Sequence, residues 1–133
     1  MPSRIMVIDD EPDVRLYLLT ALEDAGHEGC APNVDETVEE AIARLRPDLI
    51  SLDILMPKRS GIAIYRMLRS SDRFRRIPVV IVSGMLLGKD VLDDGFRELV
   101  HDDRIPPPDG YVQKPVDLKI LSQVVSELLR KEA

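Results

Sequence analysis

Four short segments of this 133-residue chain carry side chains that could act together on a phosphate. They are Asp9-Asp10-Glu11, Asp53, Ser83 and Lys114-Pro115. Carboxylates held close together raise one another's pKa and oppose folding, so several in one place need a reason. A divalent cation supplies one. Mg²⁺ is hard, prefers oxygen, and is typically held by one or two carboxylates with waters and phosphate oxygens. A lysine ammonium suits a phosphate oxygen as a point charge, and a serine hydroxyl can donate to the same group. A carboxylate not needed for the metal can act as a nucleophile and form an acyl phosphate. Phosphoryl transfer asks a protein mainly to position the group and neutralise its charge. Each piece alone has a plainer reading: an Asp-Asp pair as a turn or cap, a lone serine as a cap, Lys-Pro as a loop. Their conjunction is what carries weight.

The elements that would position these residues are legible as well. Ile5–Ile8, Leu49–Leu52 and Val79–Val82 are short, apolar, non-alternating runs. Such runs suggest strands covered on both faces, as in a parallel sheet between helices. Weaker strands fit Glu28–Ala31 and Gly110–Gln113. Between them lie helical patterns. Val14, Leu18, Ala21, Leu22 and Ala25 share one face, with Gly26 as a stop. Asn33 or Asp35 can cap a helix facing inward through Val38, Ala41, Ile42 and Leu45, which Pro47 ends. Ile64, Met67 and Leu68 mark a third helix, and Leu92, Phe96, Leu99 and Val100 a fourth. Asp117 caps a last helix with Leu121, Val124, Val125 and Leu128 inward. Five strand–helix units imply right-handed crossovers and an open parallel sheet with helices on both faces. Ligands in such sheets bind beyond the carboxyl ends of the strands. The chemical residues stand there: each follows an apolar run directly.

Composition bounds the alternatives. The length fits one domain, 1–133. Net charge is −6, so phosphates and anionic membranes would repel the chain and no direct nucleic-acid or membrane partner is expected. No Trp, three Tyr and two Phe argue against a base-stacking platform. One cysteine, Cys30, and two histidines cannot assemble a zinc set, and Cys30 reads as a buried structural thiol. The first apolar run is too short for a signal peptide or a membrane span of about 20 residues, so a cytoplasmic protein is expected.

With these residues in view, the chain resembles the receiver domain of two-component response regulators, similar to single-domain chemotaxis-type receivers. The matching segments are Val7-Ile8-Asp9-Asp10-Glu11, Leu52-Asp53-Ile54-Leu55-Met56-Pro57 with Gly61, Val80-Ile81-Val82-Ser83-Gly84, and Tyr111-Val112-Gln113-Lys114-Pro115. The resemblance implies a flavodoxin-like, doubly wound (βα)5 fold with a five-stranded parallel sheet in the order 2-1-3-4-5. It implies Asp53 as the phosphoacceptor. It gives Mg²⁺ direct ligands from Asp10, Asp53 and the backbone carbonyl of Leu55, with Asp9 acting through a metal-bound water or as a ligand. Ser83 and Lys114 would hold phosphoryl oxygens, and the Lys114–Pro115 bond would be cis. Ser83 and Tyr111 would be the switch pair, responding at the face made by the fourth helix, fifth strand and fifth helix. The donor would be a sensor histidine kinase or a histidine phosphotransfer protein. Output would pass to an unidentified downstream protein, with the receiver a monomer or weak dimer. Such a chain is a signalling phosphoprotein of a phosphorelay, not an enzyme in the ordinary sense.

Some features depart from the family pattern. Ser83 and Lys114 stand 31 positions apart, longer than usual, with the excess in the proline-rich stretch 101–109. That stretch reads as a neutral loop insertion or, more sharply, as an altered partner surface. In the family the positions two beyond the acceptor and the serine flank the route of the hydrolytic water; here they are the apolar Leu55 and Met85, so the resemblance implies a long-lived phosphoryl group. The basic residues Arg69, Arg73, Arg75 and Arg76 read as a solvated face. Two rivals stand beside the receiver: a phosphorylation-independent binding module, and a Mg²⁺-dependent phosphatase of the haloacid dehalogenase type. The latter wants Asp-x-Asp after its first strand, whereas the acids here are adjacent.

Overall fold

The computed structural model describes residues 2–54, 56–57, 59–84 and 105–132. Strands β1 (Arg4–Ile8), β2 (Glu28–Cys30), β3 (Leu49–Leu52), β4 (Val79–Ser83) and β5 (Gly110–Gln113) form one sheet. All pair in parallel, in the order β2-β1-β3-β4-β5. Helices α1 (Pro12–Asp24), α2 (Val38–Leu45), α3 (Gly61–Ser70) and α4 (Leu118–Glu132) flank it. The fourth helical pattern expected from sequence lies outside the described residues.

The continuous apolar runs became the central strands for the anticipated reason. Alternate residues of β1 feed two cores. Met6 and Ile8 pack with Ile42 of α2 and with Tyr65 and Leu68 of α3. Ile5 and Val7 pack with Leu18 and Leu22 of α1 and with Leu121 and Val125 of α4. Each of these four β1 side chains is at most 1% exposed, and burying each contributes about 1.5–3 kcal/mol. Cys30 is half-buried against the first core, where it donates weakly to the Ile5 carbonyl. Burial pushes its thiol pKa up, which suppresses thiolate chemistry.

Helix α2 is capped differently from expectation. Neither Asn33 nor Asp35 is the cap; Thr37 is. Its hydroxyl accepts from Glu40 N at 3.1 Å, and Glu40 Oε1 accepts from Thr37 N at 3.3 Å. This reciprocal box satisfies two amides, whereas Asn33 or Asp35 would start the helix before its apolar face begins. Arg46 takes a left-handed conformation just after the helix, and Pro47 follows. Thr37→Ala should lower the unfolding free energy by about 1 kcal/mol in urea titrations. A variant as stable as the wild type would deny the cap its role.

Two expectations around α3 also change. The helix seats Tyr65, fully buried, while Ile64 and Met67 are half-buried. Arg69 is not part of a solvated face: its side chain is only 5% exposed. It donates to the Arg75 and Ile77 carbonyls and pairs with Asp109. Tyr65 donates to the Pro106 carbonyl at 2.8 Å and accepts from Arg69 Nε at 3.1 Å. Ile105 is 5% exposed within the same core. The described end of the proline-rich stretch, 105–109, is thus bound to α3 and β4; residues 101–104 lie outside the described residues.

Candidate functional site

Sheet register assembles the site. Ile8 pairs with Leu52, so the next residue of each strand, Asp9 and Asp53, emerge side by side. Ser83 pairs with Gln113, so Lys114 leaves β5 at the same rim, on the far side of β4 from Asp53. Asp53 N donates to the Ile8 carbonyl at 3.0 Å, and Lys114 N to the Ser83 carbonyl at 2.9 Å, extending both ladders into the site.

Lys114 Nζ lies 2.9 Å from Asp9 Oδ2 and 3.2 Å from Asp53 Oδ2, and 4.0 Å from Glu11 Oε1. Asp9 and Asp53 are 2% and 3% exposed. Burial acts to lower the lysine pKa, but the hydrogen bond to Asp9 and the charges of Asp53 and Asp9 outweigh it and hold the ammonium above its ordinary 10.5. One ammonium cannot balance the carboxylates around it. Oxygens of Asp9, Glu11 and Asp53 lie within 4.8 Å of one another. Among the described residues the site therefore retains negative charge, and a hard divalent cation fits its all-oxygen donor set.

Asp10 stands apart from that group. Its Oδ1 accepts from Arg59 Nε at 3.0 Å and lies 2.8 Å from Arg59 Nη2. Its Oδ2 is buried with no hydrogen-bond partner among the described residues, an orphaned acceptor that also suits a cation. Asp9 is steadied by its own neighbours: Oδ1 accepts from Glu11 N at 2.9 Å, and Arg15 Nη1 donates to its carbonyl at 2.9 Å.

Ser83 is fully buried at the end of β4. Tyr111 is half-buried, and its hydroxyl donates to the Ser83 carbonyl at 3.4 Å. That carbonyl receives both Tyr111 and Lys114 N, so the two strand ends are tied at one atom. The Lys114–Pro115 bond is cis. Leu55 and Met85, with the proposed carbonyl ligand and the lifetime-tuning positions, lie outside the described residues.

The structure thus brings Asp9, Asp53 and Lys114 into contact, sets Ser83 at the end of β4 with the Tyr111 hydroxyl of β5 on its carbonyl, and gives Asp10 an arginine partner. Glu11 joins the carboxylate group instead. Sequence reasoning missed Arg59. Its signal was the Lys58-Arg59 pair that follows Asp53 closely in the sequence.

A family model described as the response regulator receiver domain matches residues 5–102. Protein Rrf1 of Nitratidesulfovibrio vulgaris is 30% identical over 129 residues, covering 97% of this chain and 84% of Rrf1. RpaA of Synechocystis, a DNA-binding dual master transcriptional regulator, is 33% identical over 129 residues, covering 96% of this chain and 49% of RpaA. The chain spans about half of that relative. Among solved structures, the receiver domain of a Pseudomonas aeruginosa sensor histidine kinase, with a magnesium ion coordinated in its active site cleft, superposes with a TM-score of 0.75 at 20% identity, covering 97% and 98% of the two chains. Among the described residues, no helix is long and apolar enough to cross a membrane.

Proposed function

The chain belongs to the response regulator receiver family, and from that premise we propose that Asp53 accepts a phosphoryl group from a phosphohistidine donor. The observation that carries this reading is Lys114 Nζ bridging two buried carboxylates at adjoining strand ends. Receiver domains act in phosphorelay signalling and interact with histidine kinases or phosphotransfer proteins. In the proposed step, an Asp53 oxygen attacks phosphorus as the donor's P–N bond breaks, and the bonding pair returns to the imidazole nitrogen. Asp53 is well placed: its strand-end position is fixed by the β1–β3 register, and burial keeps competing water away.

Receiver domains generally bind Mg²⁺ at an acidic site, and Asp9, Asp10 and Asp53 are the residues proposed to hold it here. Bound there, the ion would neutralise charge on the transferring group. Lys114 would exchange its contact with Asp53 for a phosphoryl oxygen while keeping Asp9. The Ser83 hydroxyl would donate to a second phosphoryl oxygen. Because Tyr111 shares the Ser83 carbonyl with Lys114 N, movement of Ser83 would reach the surface through Tyr111. This is a local charge change biasing a two-state element. A partner reading the β5 and α4 surface would then bind the two states differently.

The test is intact mass after acetyl phosphate treatment. Wild type should gain one phosphoryl group with Mg²⁺ and none with EDTA, and Asp53→Asn should gain none. A folded wild type without the gain would favour the phosphorylation-independent binding module. Rapid turnover without an adduct would favour the phosphatase.

A further inference from the structure

Among the described residues, two cations divide the aspartates of the site. Lys114 takes Asp9 and Asp53, and Arg59 takes Asp10. The Arg59 fork does not spread over both Asp10 oxygens. Nε at 3.0 Å and Nη2 at 2.8 Å both meet Oδ1. Two donors saturate the lone pairs of that oxygen, while Oδ2 stays buried without a hydrogen-bond partner among the described residues. A divalent cation cannot take Oδ1 until the guanidinium leaves. If it took Oδ2, it would sit across one carboxylate from a fixed positive charge, in a partly buried place where screening is weak.

Arg59 also has somewhere to go. It is one-third exposed and borders an open cleft of about 330 Å³ whose lining includes Asp10, Arg15, Asn33 and Glu36. The guanidinium can turn into this cleft without unfolding anything. Arg59 immediately precedes Ser60, whose hydroxyl caps α3 by accepting from Ala63 N at 3.1 Å. Its backbone is therefore anchored, and only the side chain need move.

We propose that Arg59 is a built-in competitor for the divalent cation: in the metal-free protein it occupies Asp10 Oδ1, and its charge opposes an ion at Oδ2, so the ion binds Asp10 at the expense of the Arg59 contact. Arg59 is then a positioning residue that sets the metal concentration at which the receiver becomes competent. The proposal rests on Asp10 belonging to the metal site.

The test is calorimetric titration with MgCl₂ alone, without a phosphodonor, on wild type, Arg59→Met, Arg59→Gln, Arg59→Lys and Asp10→Asn. Met keeps the apolar stem and removes the charge; Gln guards against a packing artefact of Met. Both should bind Mg²⁺ about tenfold more tightly than wild type, and Arg59→Lys should fall near wild type because it restores the cation. Asp10→Asn should weaken binding at least tenfold and erase the gain from Arg59→Met in the double variant. Unchanged or weaker binding in both Arg59→Met and Arg59→Gln, with Asp10→Asn still impaired, overturns the competitor role and leaves the metal site standing. Wild-type binding by Asp10→Asn overturns the metal-site reading itself, and the competitor role with it. A purely structural Arg59 would alter the melting temperature and leave the Mg²⁺ affinity unmoved.

Discussion

Lys114→Met should destabilise the metal-free protein by about 3–5 kcal/mol, the usual cost of removing one partner from a buried ion pair. The cause is what the change leaves behind. Asp9 and Asp53, 2% and 3% exposed, would face each other with their shared counter-ion gone. Urea unfolding measures the loss directly, and Mg²⁺ should recover more stability in the variant than in wild type, because the ion would supply the missing charge. Linkage gives the pH dependence. The Lys114 pKa is raised in the folded state, so its contribution is fully present below about pH 10.5 and is lost as pH rises through the higher folded value. The gap between wild type and variant should therefore not be lost through the lysine at neutral pH, and it should narrow in strong alkali as the ammonium loses its proton. A gap that closed near neutrality, or a variant as stable as wild type without Mg²⁺, would mean the lysine is not the counter-ion of this pair. Phosphorylation should suffer separately: with saturating Mg²⁺, the Lys114→Met adduct should form more slowly, since the phosphoryl group would lack one charge-assisted hydrogen bond.

The same residues explain why the site is legible in the sequence. Strands covered on both faces write themselves as unbroken apolar runs, so β1, β3 and β4 were visible to within a residue. A parallel sheet sends its strand ends to one rim, so Asp9, Asp53, Ser83 and Lys114 could be placed together from chain order. Pairings chosen by tertiary packing leave no such local trace. Arg59 meets Asp10 across 49 positions, and Arg69 meets Asp109 across 40. Nothing in the local sequence distinguishes Arg69, whose side chain is covered against Tyr65 and Asp109, from Arg73 and Arg75, which lie past the end of α3 and are exposed. Tyr65 is not among the residues that mark the third helix in the sequence; it is core because the Pro106 carbonyl and Arg69 satisfy its hydroxyl. Thr37 was overlooked for a different reason. The Thr-x-x-Glu pattern was present, but two residues of equal capping propensity, Asn33 and Asp35, preceded it.

Gly61 shows how far a motif glycine can be read physically. Its φ is not in the left-handed region, so conformational freedom is not what the position needs. Space is. A Cβ built there would lie 2.8 Å from the Ile54 carbonyl oxygen, and nearer still to Ile54 Cα and the Asp53 carbonyl oxygen. These are backbone atoms of the loop that carries Asp53, and backbone cannot swing aside as a side chain can. Gly61 N donates to that same Ile54 carbonyl at 3.3 Å, so the start of α3 is docked directly on the loop. Gly61→Ala must therefore push α3 and the Asp53 loop apart. The expected loss is at least about 3 kcal/mol, the upper end of ordinary overpacking, and the melting temperature should fall by roughly 10 °C. The loop shift should also reach the chemistry, because misplacing a reacting group by about 1 Å can cost as much as 100-fold in rate. Adduct formation from acetyl phosphate, followed by intact mass in saturating Mg²⁺ below the melting transition, should slow by at least about tenfold on that basis. Ser60→Ala provides the control. It removes the α3 cap to Ala63 N without adding volume, so it should cost about 1 kcal/mol and leave the adduct rate nearly unchanged. Equal slowing in Ser60→Ala and Gly61→Ala would show that loosening α3, rather than pressing on the Asp53 loop, controls the acceptor's position. Gly61→Ala with wild-type stability would mean that the two segments can separate freely, and the close docking would have no hold on Asp53.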